Sequence, residues 1–209
     1  MPYSYGKHYR SLSGQQIDLP TPRQYFTDGV KGMVDIHLTM RESGSIYPFG
    51  KNNSDTFHVS NDTNFHRMVK GNTGYSVSYA DTDRPLQDRP VIVRYKYDPS
   101  NVGSELEHLI ALDGTENFIS QGFSTVDGLV NEASKMFFTN SNCDSPRTIL
   151  YDENDAIIHD WDARKVLNAA GDAYISRDDA TAGNADADYD STLYDVVGGD
   201  HGTLTAPGS

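Results

Sequence analysis

The sequence has little of what marks most enzymes and nucleic-acid-binding proteins. It holds a single cysteine, Cys143, in 209 residues, which excludes an intrachain disulfide. Positive charge is scarce: 17 Lys and Arg stand against 30 Asp and Glu, a formal net charge of −13. A nucleic-acid binder needs a basic patch to meet phosphates. The richest basic stretch, residues 89–96, sets Arg94 and Lys96 alternately with apolar residues, which is the wet face of a strand. Neither nucleic acid nor an anionic membrane surface is therefore expected as a partner. No apolar run approaches the roughly 18 residues of a membrane-spanning helix. The start, Met1-Pro2-Tyr3-Ser4-Tyr5-Gly6-Lys7-His8, lacks the apolar segment of a secretory signal. Synthesis in a cytoplasm is the expectation.

Motifs that carry chemistry are also missing. The seven histidines, at 8, 37, 58, 66, 108, 159 and 201, form no His-Glu-x-x-His or similar pair. There is no Gly-x-Ser-x-Gly elbow and no Gly-rich phosphate loop. Cys143 sits in a polar stretch and reads as an ordinary exposed or half-buried thiol. No catalytic residue is assigned and the chain is not expected to be an enzyme. A carboxylate pair for glycoside hydrolysis stays open, because that chemistry needs only two acids placed by the fold. Asp186, Asp188 and Asp190 supply acids at every second position, as the start of a calcium loop does. Counted from Asp186, position six is Ser191 instead of Gly and position twelve is Val197 instead of Glu. A solvated acidic loop is expected there, with calcium as the alternative; no other metal or cofactor is implied.

What the sequence does have is tyrosine, 13 residues against one Trp. An apolar ring with a polar tip suits strands with one wet face, and suits contact surfaces. Residues 1–32 are polar and rich in Gly and Pro, and Leu19-Pro20-Thr21-Pro22 favours an extended backbone. They read as an extended arm studded with Tyr3, Tyr5, Tyr9, Tyr25 and Phe26, which either dock on a partner or wrap the chain's own domain. Two-residue alternation predicts strands at 33–40, 56–60, 65–69, 75–79 and 90–97. Residues 105–112 are ambiguous between helix and strand, and 117–120 reads as a short strand. Val126, Leu129, Val130, Ala133, Met136 and Phe137 fall at helical spacing behind a Ser124 or Thr125 cap, predicting one amphipathic helix at about 125–139. Residues 147–151 and 156–159 read as a hairpin turning on Asp152-Glu153-Asn154-Asp155. Residues 168–190, rich in Ala, Asp and Gly, read as a surface loop or a poorly ordered segment. The expectation is a mainly β protein, an antiparallel sandwich or barrel with one helix. It divides into an arm (1–32), a β-rich domain (33–145) and a C-terminal segment (146–209) that begins a further domain.

One stretch points to a family. His159-Asp160-Trp161-Asp162-Ala163, and then Leu193-Tyr194-Asp195-Val196-Val197-Gly198-Gly199-Asp200-His201-Gly202-Thr203-Leu204-Thr205, resemble the opening phrases of laminin-G/concanavalin-like lectin domains of phage and bacterial surface proteins. Gly198-Gly199-Asp200 supplies the freedom for a tight turn, and Gly202 allows close packing as the next strand begins. The family's domain continues far beyond the second phrase, whereas four residues follow Thr205 here; the expectation is either the N-terminal part of a longer protein or a resemblance to the turn alone. The family's ligand-binding residues lie downstream of the phrase, and none is carried over.

The resemblance, the aromatic arm and the missing catalytic motifs together imply a structural component of a tailed-phage virion. It would be a fibre, appendage or decoration protein, located in the virion and assembling with other virion proteins and with copies of itself. The alternative is a carbohydrate-binding module that stacks host-surface glycans on aromatic side chains. A third reading is a polysaccharide hydrolase using acids within residues 152–162.

Overall fold

The computed structural model describes residues 10–11, 16–26, 29–41, 43–46, 49–52, 55–60, 65–70, 73–78, 87–126, 131–136 and 143–205. The chain opens with strands β1 (Arg10–Ser11), β2 (Gln16–Phe26), β3 (Gly32–Met40), β4 (Ser45–Ile46), β5 (Phe49–Asn52) and β6 (Asp55–Ser60). It continues with β7 (Phe65–Lys70), β8 (Thr73–Ser78), β9 (Pro90–Tyr97), β10 (Leu106–Leu112), β11 (Phe118–Ser124) and β12 (Asn131–Met136). The last strands are β13 (Cys143–Tyr151), β14 (Ile157–Asp162), β15 (Lys165–Leu167), β16 (Tyr174–Ser176), β17 (Thr192–Leu193) and β18 (Gly202–Thr205), with a 3-10 turn at Arg177–Asp179.

Two antiparallel sheets hold most of these strands. The first runs β1-β13-β3-β9-β10-β11, with β14 also paired to β13. The second runs β17-β18-β2-β12-β5-β6-β7-β8, with β4 on β6. β15 and β16 form a separate ribbon. Neither sheet closes on itself, so the architecture is sandwich-like and not a closed barrel.

Alternation explains how the two sheets share one core. In β3 and β9 every second residue, Val34, Ile36, Leu38 and Met40, and Val91, Val93, Tyr95 and Tyr97, is buried in it. Ile17 and Leu19 of β2 and Phe57 and Val59 of β6 join from the second sheet. Phe57 and Tyr95 meet at 4.1 Å between ring centroids, an aromatic contact of about 0.5–1.5 kcal/mol beyond its burial. Trp161 of β14 is fully buried in the same cluster.

Among the described residues of 125–139 the predicted helix is not present. Ser124 ends β11, and Asn131–Met136 is β12, paired with both β2 and β5. Gly128 costs a helix about 1 kcal/mol relative to Ala. Val126, Val130 and Thr125 are β-branched and favour strand. The pairing of β12 with β2 shifts register between Ala133 and Lys135, and such a break spoils the two-residue alternation that would have revealed a strand.

Along their described length the first 32 residues contribute strands to both sheets. β1 pairs with β13 in the first sheet, β2 pairs with β12 and β18 in the second, and Ile17 and Leu19 are buried. Tyr3, Tyr5 and Tyr9 lie outside the described residues; Tyr25 and Phe26 are the last two residues of β2. β13 runs unbroken from Cys143 to Tyr151 across the expected domain boundary, and Pro146 falls in its register shift between Asp144 and Arg147, where a residue without an N–H is tolerated. Cys143 is fully buried, not half-exposed in a loop. Residues 168–190 are more than a surface loop. Val166, Ala185 and Tyr194 form a second small core, packed by Leu167, Tyr174, Ile175, Ala180 and Tyr189. Arg177 ties it down by donating from Nε to the Ala163 carbonyl at 2.7 Å and from Nη2 to the Thr192 carbonyl at 2.8 Å.

Candidate functional site

Among the described residues, polar side chains are most densely bonded at the C-terminal turn and on the outer face of the first sheet. The turn is organised by Asp195, whose side chain is fully buried. Its carboxylate accepts backbone N–H bonds from Asp160 (2.9 Å), Val197 (3.2 Å), Gly198 (2.9 Å) and Asp200 (3.1 Å), and lies 2.6 Å from His159 Nδ1. Burial alone would raise its pKa. The His159 hydrogen bond and the converging backbone N–H groups outweigh burial and hold the carboxyl well below its ordinary range. His159 stacks on Trp161 at 5.0 Å, and Trp161 Nε1 donates to the Asp200 carbonyl at 2.7 Å. His201 Nδ1 accepts from the Asp195 backbone N–H at 3.1 Å, which leaves the ring proton on Nε2. A Cβ at Gly198 would overlap His159, and one at Gly202 would overlap Ile17. The Asp195 carboxylate, the Trp161 indole N–H and His201 Nδ1 are each turned inward on another part of the turn. The stretch quoted for the lectin resemblance is therefore a structural joint that fastens β17 and β18 to β14 and β2.

The acidic loop has a local role as well. Asp186 accepts from the Tyr194 hydroxyl at 3.1 Å and from the Asp188 backbone N–H at 3.3 Å. The carbonyl of Asp188 accepts from Ser191 N–H and Oγ, and Asp190 stays on the surface. Among the described residues no group of three or more His, Cys, Asp or Glu converges in a way that could hold a metal ion.

The second place follows from strand register. Antiparallel pairing sets Leu109, Arg94, Asp35, Ile149 and Asp160 in one row across β10, β9, β3, β13 and β14. The adjacent row on the same face holds Phe118, Ala111, Ile92, His37, Arg147 and Asp162. Arg94 closes a two-pronged fork on Asp35, Nε to Oδ1 and Nη2 to Oδ2, both at 2.6 Å. Arg147 does the same to Asp160 at 2.7 and 2.6 Å, and Arg164 to Asp162 at 2.7 Å for both prongs. The Arg94 guanidinium lies 3.8 Å over the centre of the Phe118 ring and 6.0 Å from the centre of the Tyr151 ring. Tyr151 donates its hydroxyl to Asp35 at 3.0 Å. Beneath the guanidiniums, half-buried His37 is pushed down to about 3, by burial first and then by Arg147 and Arg164, so it is neutral at physiological pH.

Three planar guanidiniums, two aromatic rings and three carboxylates thus tile one face, each cation fixed by a fork that costs it most of its rotamer freedom. Sequence reading passes over this face because alternation shows that Arg94 is on a wet face but does not show which residues stand across from it. The available signal is β3 itself, where Asp35 and His37 interrupt an apolar strand on every second residue. Of the acids within 152–162, Asp152 accepts from Asn154 and Ala156 N–H as the hairpin's cap, and Asp160 and Asp162 belong to forks. Burial acts to raise the Asp162 pKa, but its hydrogen bonds from Arg164 hold it below its ordinary value, the opposite of what a general acid requires.

No family model and no curated protein matches the chain. Among solved structures it is similar to "a putative carbohydrate binding protein from Bacteroides ovatus ATCC 8483", at 13% identity and a TM-score of 0.40, covering 94% of this chain. The chain spans 59% of the length of that protein. What the fold itself defines is a two-sheet, antiparallel, sandwich-like β domain.

Proposed function

We propose that the chain is a carbohydrate-binding domain that takes its ligand on the outer face of the first sheet. The observation that carries this reading is Arg94, held in a fork by Asp35 and stacked on Phe118 at once. A sugar offers flat C–H surfaces and a rim of hydroxyls that both donate and accept. Such a ligand fits fixed donors and acceptors beside aromatic rings, and the forks supply those without having to be ordered on binding. In the Arg147 and Arg164 forks the second edge of the guanidinium is left to meet a ligand hydroxyl. Isothermal titration against a saccharide panel tests it. The wild type should bind at least one saccharide, and Phe118→Ala should weaken that binding by about tenfold, the equivalent of about 1.4 kcal/mol, while remaining folded with at most a small drop in melting temperature from the lost Arg94 contact. An undiminished Phe118→Ala variant would remove the reading.

A second reading, assembly as a structural component of a tailed-phage virion, has β11 as its specific support. This strand ends the first sheet and exposes Ile119 (45%) and Phe123 (52%), and an apolar edge strand is a ready template for another chain. Concentration-dependent self-association, abolished by Phe123→Lys, is its expected signature in light scattering. A strictly monomeric chain that does not bind particles lacking it would count against it.

A further inference from the structure

We infer that the saccharide taken by this face is acidic, and that its carboxylate is met by the free edges of Arg147 and Arg164; this rests on the carbohydrate reading above. Anions and cations lie at different depths in this face. In the three forks the carboxylates of Asp35, Asp160 and Asp162 are 5%, 6% and 6% exposed, whereas Arg94, Arg147 and Arg164 are 23%, 27% and 35% exposed. Each pair is neutral, but the anion lies beneath and the cation on top. The face therefore presents positive charge outward from a chain whose net charge is −13.

Asp160 and Asp162 stand two residues apart on one face of β14, about 7 Å by strand geometry, and so they hold the Arg147 and Arg164 guanidiniums side by side. In both, Nε and Nη2 are taken by the fork, and Nη1 has no partner among the described residues. Two like charges placed together with free N–H edges are stabilised by an anion between them, and a planar carboxylate matches that geometry. Neutral His37 beneath adds no competing charge. At one margin of the face, Glu107 and Lys96 are register partners of opposite sign and leave the balance unchanged. Tyr151 lies on the same strand as Arg147, whereas Phe118, with Arg94 over its ring, lies four strands away on β11, so a ligand meeting both ends of the face is a chain of several sugars.

The test compares oligomers of galacturonate, glucuronate, mannuronate and guluronate with their methyl esters, by isothermal titration of the full chain. The rings and hydroxyls are then the same and only the charge differs. At least one acid should bind about tenfold more tightly than its ester, the worth of one charged hydrogen bond, and the difference should shrink as salt rises from 50 to 300 mM through screening. Arg164→Gln should bring the acid to the affinity of the ester. The double variant Asp162→Asn with Arg164→Gln, which leaves no buried unpaired carboxylate, should do the same if the single one folds poorly. If esters bind as well as acids, the acidic class is wrong and the carbohydrate reading stands. If neither binds, and neutral saccharides also fail, both are wrong.

Discussion

His159 Nδ1 lies 2.6 Å from Asp195 Oδ2, and the Gly198 backbone N–H reaches the same carboxylate at 2.9 Å. The charge of Asp195 thus joins strand β14 to the turn that follows β17. Replacing it by Ala leaves four backbone N–H groups and an imidazole without their acceptor, and is expected to destabilise the domain by about 2–4 kcal/mol. Because the carboxyl is held below its ordinary value in the fold, its contribution is fully present above that value. It is lost as pH falls through the lower, folded-state pKa. Urea titrations of wild type and Asp195→Ala should therefore converge in strong acid and diverge at neutral pH; parallel curves at all pH values would contradict this account.

Gly202 is expected to tolerate no side chain. A Cβ there overlaps Ile17 Cγ2 and touches Leu19 Cδ2 at 3.5 Å. Since both are core residues with nowhere to move, Gly202→Ala should cost about 1–3 kcal/mol. Gly171, where a Cβ meets nothing within 4 Å but φ is +72°, should cost only its left-handed backbone strain, about 1 kcal/mol. Thermal melts of the two variants distinguish crowding from strain; equal losses would contradict the packing account.

Acid should also loosen the fold at milder pH. Fully buried His108, whose Nε2 lies 3.0 Å from Ser124 Oγ, is pushed down to about 3 by burial, as His37 is by burial and nearby arginines. Both take up a proton at about 6.5 when unfolded and only near 3 when folded. Their contribution is thus present above 6.5 and lost progressively as pH falls from 6.5 to 3. His108→Gln should flatten the fall in stability between pH 6.5 and 4. A variant with the same slope as wild type would show that another group sets it.

Cys143 should be unreactive in the folded protein. It is fully buried at the start of β13, and burial with nearby Asp144 pushes its thiol up to about 12. Ellman's reagent should label no thiol in the native state and one in denaturant. Stoichiometric native labelling at the rate of a free thiol would contradict the burial.

Some of this protein is legible from the order of its residues. β9 begins at Pro90 and stops before Asp98-Pro99, and alternates from Val93 to Tyr97, so its ends coincide with the predicted 90–97. The same local signal places β3, β6, β7 and β8 within two residues, because one wet and one dry face impose a period of two wherever a strand is regular. It fails where the ladder is broken. β12 carries a register shift and a sequence that also fits a helical stripe, and its pairing with β2 and β5, over a hundred and about eighty residues away in sequence, decides between the two.

The same division applies to the candidate site. Composition and alternation determine a mainly β chain with a strongly acidic surface, poor in the motifs of catalysis and nucleic-acid binding. They put Arg94 on a wet face and Asp35 on the wet face of a different strand. Only the tertiary structure decides that these two stand opposite each other, that Arg147 finds Asp160, and that the carboxylates sit beneath the guanidiniums. Side-chain period is a property of one strand, whereas register is set by how two strands distant in sequence bury their dry faces together. The chemistry of this face therefore arises from pairing that no single segment encodes.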